Sequence, residues 1–113
     1  MDGEPRDEVF AALADPTRRR ILRAVSEHGP VTATALTTDI PVSRQAIARH
    51  LSLLQDAGLV RADRAGRETR FTARPQPLDD LAAWAVATGQ RWEHRLARLR
   101  ASLAEGGADA SNR

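Results

Sequence analysis

The sequence predicts a mainly helical fold that carries one small β-hairpin. Apolar residues recur at helical spacing along most of the chain, and two alternating segments flank a glycine turn near its middle. The 113 residues suffice for one domain with a modest core. We place this domain at residues 7–104 and expect residues 1–6 and 105–113 to be disordered.

Two helices are predicted at the start of the domain. Apolar residues at helical spacing indicate a short helix over residues 7–14. Asp15 then offers an N-cap, with Pro16 at the first position of a second helix that runs to about Glu27. The second helix has an apolar face of Ile21, Leu22 and Val25 and a basic face of Arg19, Arg20 and Arg23. The basic face is either solvated or turned towards phosphates.

A short third helix is predicted beyond Gly29. Val31 pairs briefly in a small sheet, and Thr32 caps two helical turns over residues 33–38. A turn follows, because Pro41 disfavours a helical conformation in the residue before it.

The fourth helix is predicted to have one face for burial and one for contact. Ser43 is its N-cap, and Gly58 is the expected left-handed stop. At roughly 100° per residue, the buried stripe comprises Ile47, Leu51 and Leu54. The opposite face comprises Arg44, Gln45, Ala48, Arg49 and Ser52. Arginine and an amide at the N-terminal end of such a face suit contacts with base edges and phosphates.

Two strands are predicted directly after this helix, over residues 59–64 and 68–74, with Gly66 in the turn between them. The basic residues around the tip are Arg64, Arg67 and Arg70. They suit a phosphate backbone or the edge of a minor groove, and a solvated basic hairpin is the alternative. A short helix, a turn, an amphipathic helix and a hairpin make a winged helix-turn-helix, in the order α-α-(β)-α-α-β-β-α.

The last helix is predicted over residues 78–103. Its apolar stripe comprises Leu78, Leu81, Ala85, Thr88, Trp92, Leu96, Leu99 and Leu103, with Trp84 at the margin. A helix of this length spans about 39 Å, more than a small monomeric core covers easily. Part of the stripe therefore needs another surface, and a two-fold partner is the economical one. The alternative is that the whole stripe packs on its own domain.

Composition excludes several classes of protein. The chain has no cysteine, which excludes disulfides, thiolate metal sites and a cysteine nucleophile. It has no apolar run near the roughly 20 residues that a membrane span needs, and its N-terminus is acidic where a signal peptide is basic. We therefore expect a soluble cytoplasmic protein without a membrane partner. No phosphate loop, nucleophile with a base, or catalytic carboxylate pair is recognisable, so we expect no enzyme.

Charge is concentrated in the middle of the chain. All 17 basic residues are arginine, and the formal net charge is only +2. Residues 16–74 carry eleven arginines and five acids, whereas residues 1–15 carry one arginine and five acids. The basic segment thus contains the fourth helix and the hairpin. Codon bias is one explanation for the choice of arginine over lysine, but it does not account for this distribution.

Together these segments resemble the ArsR-type winged-helix transcriptional repressors over residues 9–104. The resemblance is carried by Leu13-Ala14-Asp15-Pro16-Thr17-Arg18-Arg19-Arg20-Ile21-Leu22, by Val42 to Leu51 with Leu54, by Ala57-Gly58-Leu59-Val60, and by the arginine-bearing hairpin, or wing. Ala48 departs from the family, whose members often carry a serine there near the DNA.

The resemblance implies a sequence-specific regulator of double-stranded DNA. We expect Arg44, Gln45 and Arg49 to read bases, because arginine binds guanine and glutamine binds adenine in bidentate fashion. The expected backbone anchors are Thr32, Thr34, Ser43, His50 and Ser52, and the expected wing contacts are Arg64, Arg67 and Arg70. The operator should be pseudo-palindromic, because the family binds as homodimers.

Family members pair through the first and last helices. The residues that this implies at a dimer interface are Val9, Phe10, Leu81, Trp84, Ala85, Thr88, Trp92, Leu96 and Leu99. Metal sensing is not supported, because the third helix lacks the cysteines of the best-known sensors and His94 has no second histidine at ligand spacing. We expect no metal and no cofactor, and a small-molecule or protein effector stays open. The alternative function is a winged-helix adaptor that binds protein.

Overall fold

The computed structural model describes residues 4–111, with side chains up to Glu105. Its elements follow the predicted order of helices, hairpin and last helix. The chain divides into two compact units, the first ending at Leu81 and the second beginning at Ala82. Residues 1–3, 112 and 113, which we expected to be disordered, lie outside the described residues. The domain limits 7–104 stay a prediction.

Helices α1 (Asp7–Ala14) and α2 (Pro16–His28) are joined by the single residue Asp15. The Asp15 carboxylate accepts the backbone N–H of Thr17 at 2.8 Å and that of Arg18 at 3.2 Å, so it caps α2 as predicted. The Arg18 backbone N–H, the Thr17 N–H and the Arg18 guanidinium lower the pKa of Asp15 below its usual value of 3.8.

Two arginines of α2 close the end of α1. Arg18 donates from Nε to the Ala12 carbonyl at 2.9 Å, and Arg19 donates from Nη1 to the Leu13 carbonyl at 2.6 Å. These carbonyls belong to the last turn of α1, where no backbone N–H of the same helix is available to donate to them. Arg19 therefore has a structural role. The two alternatives for the basic face of α2, solvation and contact with phosphates, did not include this role.

Helix α3 (Ala33–Leu36) leads through a turn to helix α4 (Arg44–Asp56). The caps are as predicted, since the Thr32 hydroxyl accepts from Ala35 N at 3.1 Å and the Ser43 hydroxyl accepts from Ala46 N at 3.1 Å. Helix α3 ends before the predicted Thr38, because the backbone closes into turns after Leu36.

Gly58 follows α4 with φ +77°, a left-handed conformation that side chains disfavour. It is therefore the stop that the sequence predicted.

The core is built around the buried face of α4. Ile47, Leu51 and Leu54 have no exposed surface, as the spacing predicted. They belong to one cluster with residues of every other element of the first unit up to β1. The cluster comprises Val9, Ala12, Ile21, Leu22, Val25, Leu36, Ile40, Ile47, Leu51, Leu54, Ala57, Leu59 and Val60. Leu78 is half-buried against it.

Val9 requires a correction. It is only 2% exposed and packs in the core of its own chain, so it is not available to the dimer interface at which we had expected it. Its neighbour Phe10 is 37% exposed and stays a candidate. Apolar periodicity places both residues near the inward side of a short helix and does not show which of them the core covers.

The wing consists of strands β1 (Val60–Ala65) and β2 (Glu68–Ala73), which pair antiparallel. Gly66 turns the chain between them with φ +65°. Phe71 of β2 also exchanges two backbone hydrogen bonds with Val31, at 3.0 and 2.8 Å, which confirms the brief pairing predicted for Val31. This bridge attaches the wing to the segment that enters α3.

Helix α5 (Gln76–Ser111) is longer than predicted at both ends. It starts two residues before Leu78 and continues past Leu103 to Ser111. The disorder expected from residue 105 onwards stays a prediction.

The cap at Asp15 should make stability depend on pH. Because the folded pKa of Asp15 lies below the unfolded one, its charge stabilises the fold above the unfolded pKa, and this contribution is lost as pH falls through the folded pKa. Asp15→Asn keeps a capping oxygen but not the charge. We expect this variant to be less stable than wild type at pH 7, and the difference to be smaller at pH 3, which lies below the usual pKa of 3.8 at which the loss begins.

Urea unfolding at both pH values measures this difference. Asp39→Asn is a matched control, because Asp39 is exposed and neither accepts a side-chain hydrogen bond nor forms an ion pair among the residues the structure describes. A gap between wild type and Asp15→Asn that stays constant from pH 7 to pH 3 would contradict the assignment.

Candidate nucleic-acid interface

One long face of α4 is exposed. Burial of Ile47, Leu51 and Leu54 turns the opposite side of the helix outward. The residues on this outward side are Arg44, Gln45, Ala48, Arg49 and Ser52, all exposed. They are the residues that helical spacing had placed on the contact face.

An open cleft of about 560 Å³ lies between this face and the wing. It is lined by Thr32, Ala33, Thr34, Arg44, Ala48, Arg64, Arg67, Glu68, Thr69 and Phe71. The fold thus brings together five of the predicted contact residues, from α4, from the N-terminal end of α3 and from the wing. We call this space the wing cleft.

A second depression, of about 490 Å³, lies beside the first half of α4. It is lined by Arg18, Ser43, Gln45, Ala46, Arg49, His50 and Leu53. Four predicted contact residues, Ser43, Gln45, Arg49 and His50, therefore lie along this side. Ser52 lines neither space.

His50 points partly towards the protein. Its Nδ1 atom is buried and has no hydrogen-bond partner among the described residues, and its charge when protonated would favour the ionised form of Asp15. Sequence reasoning had offered His50 as a phosphate anchor. The structure leaves it half-buried at the border of the depression, near the junction of α1 and α2.

Charge is not paired evenly over this surface. Within the described side chains, up to Glu105, no acid lies within 4.0 Å of Arg44, Arg49, Arg64 or Arg67. By contrast, Arg61 binds Asp63 at 3.0 Å and Arg70 binds Glu68 at 3.2 Å. Arginines without an acidic partner leave their donors available to a polyanion.

Strand register separates the wing arginines. Arg64 pairs with Thr69, on the face of the hairpin that carries Phe71, whereas Arg70 pairs with Asp63 on the other face. Of the three predicted wing contacts, Arg64 and Arg67 line the wing cleft and Arg70 does not. Thr69 joins the site, although we had not predicted it. Its register with Arg64 was the signal that could have found it.

Residues 13–62 match the helix-turn-helix domain family. An uncharacterised HTH-type transcriptional regulator of Bacillus subtilis, YuzN, is 43% identical over 87 residues, which are 72% of this chain and 94% of that protein. An ArsR-like transcriptional regulator from Rhodococcus sp. RHA1 has a solved structure with 43% identity and a TM-score of 0.71, covering 81% of this chain and 86% of that one.

The chain belongs to the ArsR-like HTH-type transcriptional regulators. It is thus a DNA-binding regulator of transcription with a winged helix-turn-helix, as the resemblance implied. A third relative is the homodimeric winged helix-turn-helix DNA-binding domain of a possible ArsR-family regulator from Mycobacterium bovis. It is 25% identical, with a TM-score of 0.58, and covers 77% of this chain and 78% of that one.

The C-terminal unit of this ArsR-like regulator exposes large apolar side chains. Val86, Trp92, Leu99 and Leu103 are 61%, 57%, 54% and 65% exposed, whereas Trp84, Thr88 and Leu96 are half-buried. Val86 lies off the predicted stripe, so helical spacing missed it. Its only signal in the sequence is its own apolar character.

The described residues hold no group of three or more histidine, cysteine, aspartate or glutamate side chains that could bind a metal ion. Among the same residues, no helix combines the length and apolar character needed to cross a bilayer.

Proposed function

We propose that this regulator is a homodimeric repressor of a pseudo-palindromic operator. In this proposal each α4 enters a major groove, and the two helices lie about 34 Å apart, one turn of DNA. The wing of each subunit follows the phosphate backbone towards the adjacent minor groove. The supporting observation is that the four arginines at positions 44, 49, 64 and 67, around the exposed face of α4, have no acidic partner among the described side chains.

The residues of α4 divide by position. Gln45 and Arg49 lie on the side away from the wing and present amide and guanidinium groups that match adenine and guanine edges. Arg44 lies in the wing cleft beside Arg64 and Arg67. We keep Arg44, Gln45 and Arg49 as base readers. The hydroxyls of Thr32 and Ser43 accept cap bonds and still hold a proton to donate to a phosphate.

The dimer is proposed from the exposed apolar side chains of α5. Trp92 and Leu99 expose more than half of their surface, and apolar groups of this size are worth roughly 1.5–3 kcal/mol each when buried. The homodimeric relative supports the proposal that a second copy of the chain buries these side chains. The remaining interface candidates are Phe10, Leu81, Trp84, Ala85, Thr88 and Leu96.

We propose that repression occurs by occlusion, since a dimer bound across two turns of DNA blocks access of polymerase to that segment.

The alternative function, an adaptor that binds protein, predicts a different dependence of binding affinity on salt. A protein that neutralises several phosphates should lose orders of magnitude in affinity between about 50 and 200 mM salt, whereas an apolar protein interface should hardly respond.

Arg49→Ala should weaken operator binding by roughly 1–3 kcal/mol and relax the sequence preference, because a bidentate contact to one base is lost. Fluorescence anisotropy against a duplex carrying the regulator's own upstream region, and against point-substituted duplexes, measures both effects. Gln55→Ala serves as the control, because Gln55 is exposed near the other end of α4 and lines neither the wing cleft nor the second depression. Equal loss on all duplexes would show that Arg49 contacts only the backbone.

Arg64→Ala should weaken binding to all sequences about equally and make the salt dependence less steep. One lost phosphate contact lowers the slope of log K against log salt by about 0.9, hence by about 1.8 for a dimer. Arg61→Ala is the matched control, since Arg61 lies in the same strand on the other face and is paired with Asp63. If both variants changed the slope equally, the two faces of the wing would not differ in DNA contact.

Leu99→Glu should convert the dimer to a monomer, because a charge replaces an apolar side chain that is covered only in the dimer. Light scattering coupled to size-exclusion chromatography at micromolar concentration reads the mass directly. Ala97→Glu is the control, as Ala97 is also exposed but lies about 160° away around α5. A monomeric wild type, or a Leu99→Glu variant that stays dimeric, would refute the proposed interface.

A further inference from the structure

The wing cleft contains an apolar patch among its arginines. Ala48 is exposed on the outward face of α4, one turn beyond Arg44, and Ala33 and Phe71 line the same cleft. Ala33 and Phe71 are half-buried and pack against the core cluster. The patch is therefore fixed in place, whereas the arginine side chains around it can move.

This patch differs chemically from the arginines that surround it in the wing cleft. Phosphates accept hydrogen bonds, most base edges in the major groove donate or accept them, and the apolar C–H surface of deoxyribose is the same for every base. The apolar group that distinguishes one base from the others in this groove is the 5-methyl group of thymine, which alanine contacts through its own methyl group. Ala48 is also the shortest side chain on the outward face, so it permits close approach of the α4 backbone to the bases.

We propose that Ala48 selects a thymine in each operator half-site by contact with its 5-methyl group. This inference rests on the proposed function and adds a specificity determinant to it. The family resemblance had pointed to a lost serine contact at this position. On this view the substitution exchanges a polar contact for a methyl contact, and so changes which base is preferred.

Arg44 and Arg64 would hold the DNA close enough for Ala48 to contact the thymine methyl group. They line the cleft beside Ala48 and have no acidic partner among the described side chains, so both are available to the phosphates or base edges that flank the thymine. Arg44 is four residues before Ala48 and therefore lies on the same side of the helix. The methyl contact then supplies selectivity, and the arginines supply most of the affinity.

The first measurement uses the full chain and DNA only. A duplex is enriched from a randomised library of double-stranded DNA, and each thymine of the enriched duplex is then replaced symmetrically by deoxyuridine, which removes only the methyl group. Burial of one such group is worth about fourfold in affinity per half-site, or about fifteenfold for both. We expect one symmetric pair of positions to show a loss of this size.

The second measurement assigns the methyl effect to Ala48. Ala48→Gly should bind the thymine duplex about as weakly as wild type binds the uracil duplex, with no further loss on uracil, as a double-mutant cycle requires for two groups in contact. Gln55→Gly is the matched control, because it places a glycine at another exposed position of α4, one that lines neither the wing cleft nor the second depression, and it should retain the loss of affinity on uracil. Circular dichroism checks that both variants fold, and Ala48→Ser, which keeps the helix propensity closer to wild type, should also lose the preference for thymine.

The outcomes are distinguishable. If wild type enriches and binds a duplex but no thymine-to-uracil replacement changes its affinity by more than about 1.5-fold, well below the loss expected for a buried methyl group, Ala48 has no such role and the proposed function stands. If the uracil effect is present but unchanged in Ala48→Gly, another residue reads the methyl group. If no duplex is enriched at low salt, the proposed function fails and this inference fails with it.

Discussion

Burial of one side of α4 is the constraint on which the rest of the structure depends. Ile47, Leu51 and Leu54 are fully buried, and replacement of any of them by alanine would cost roughly 2–5 kcal/mol. A helix held by three such side chains cannot rotate about its axis. The opposite face, with Arg44 and Ala48, is therefore fixed outward by packing alone, before any nucleic acid is present.

The wing is held to this helix through the backbone. Phe71 is bonded to Val31 in both directions, and Val31 directly precedes Thr32, the cap of α3. Helix α3 in turn packs on α4, since Leu36 lies in the same core as Leu51. The distance between Arg64 and the exposed face of α4 is thus set by hydrogen bonds and core packing, and the wing cleft is a property of the fold.

Local signals made most of the fold predictable from the sequence. Caps at Asp15, Thr32 and Ser43, the left-handed glycine after α4 and the buried stripe depend on residues within a few positions of each other. What the sequence did not reveal depends on partners far along the chain. The carbonyl contact of Arg19 with α1, the burial of Val9 rather than Phe10, and the face on which Arg70 lies all required the packed structure. For the candidate site, the residue types were predictable but their grouping into two spaces beside α4 was not.

The two faces of the wing differ in how their arginines are paired with acids. Both faces carry arginine, but the acids Asp63 and Glu68 form ion pairs with Arg61 and Arg70. Arg64, on the cleft face, has no such partner among the described side chains. Exposed ion pairs of this kind contribute little to stability, so their main physical effect here is to neutralise the positive charge of Arg61 and Arg70. Of the wing arginines, the two without such a partner among the described side chains, Arg64 and Arg67, are therefore the two that line the wing cleft beside α4.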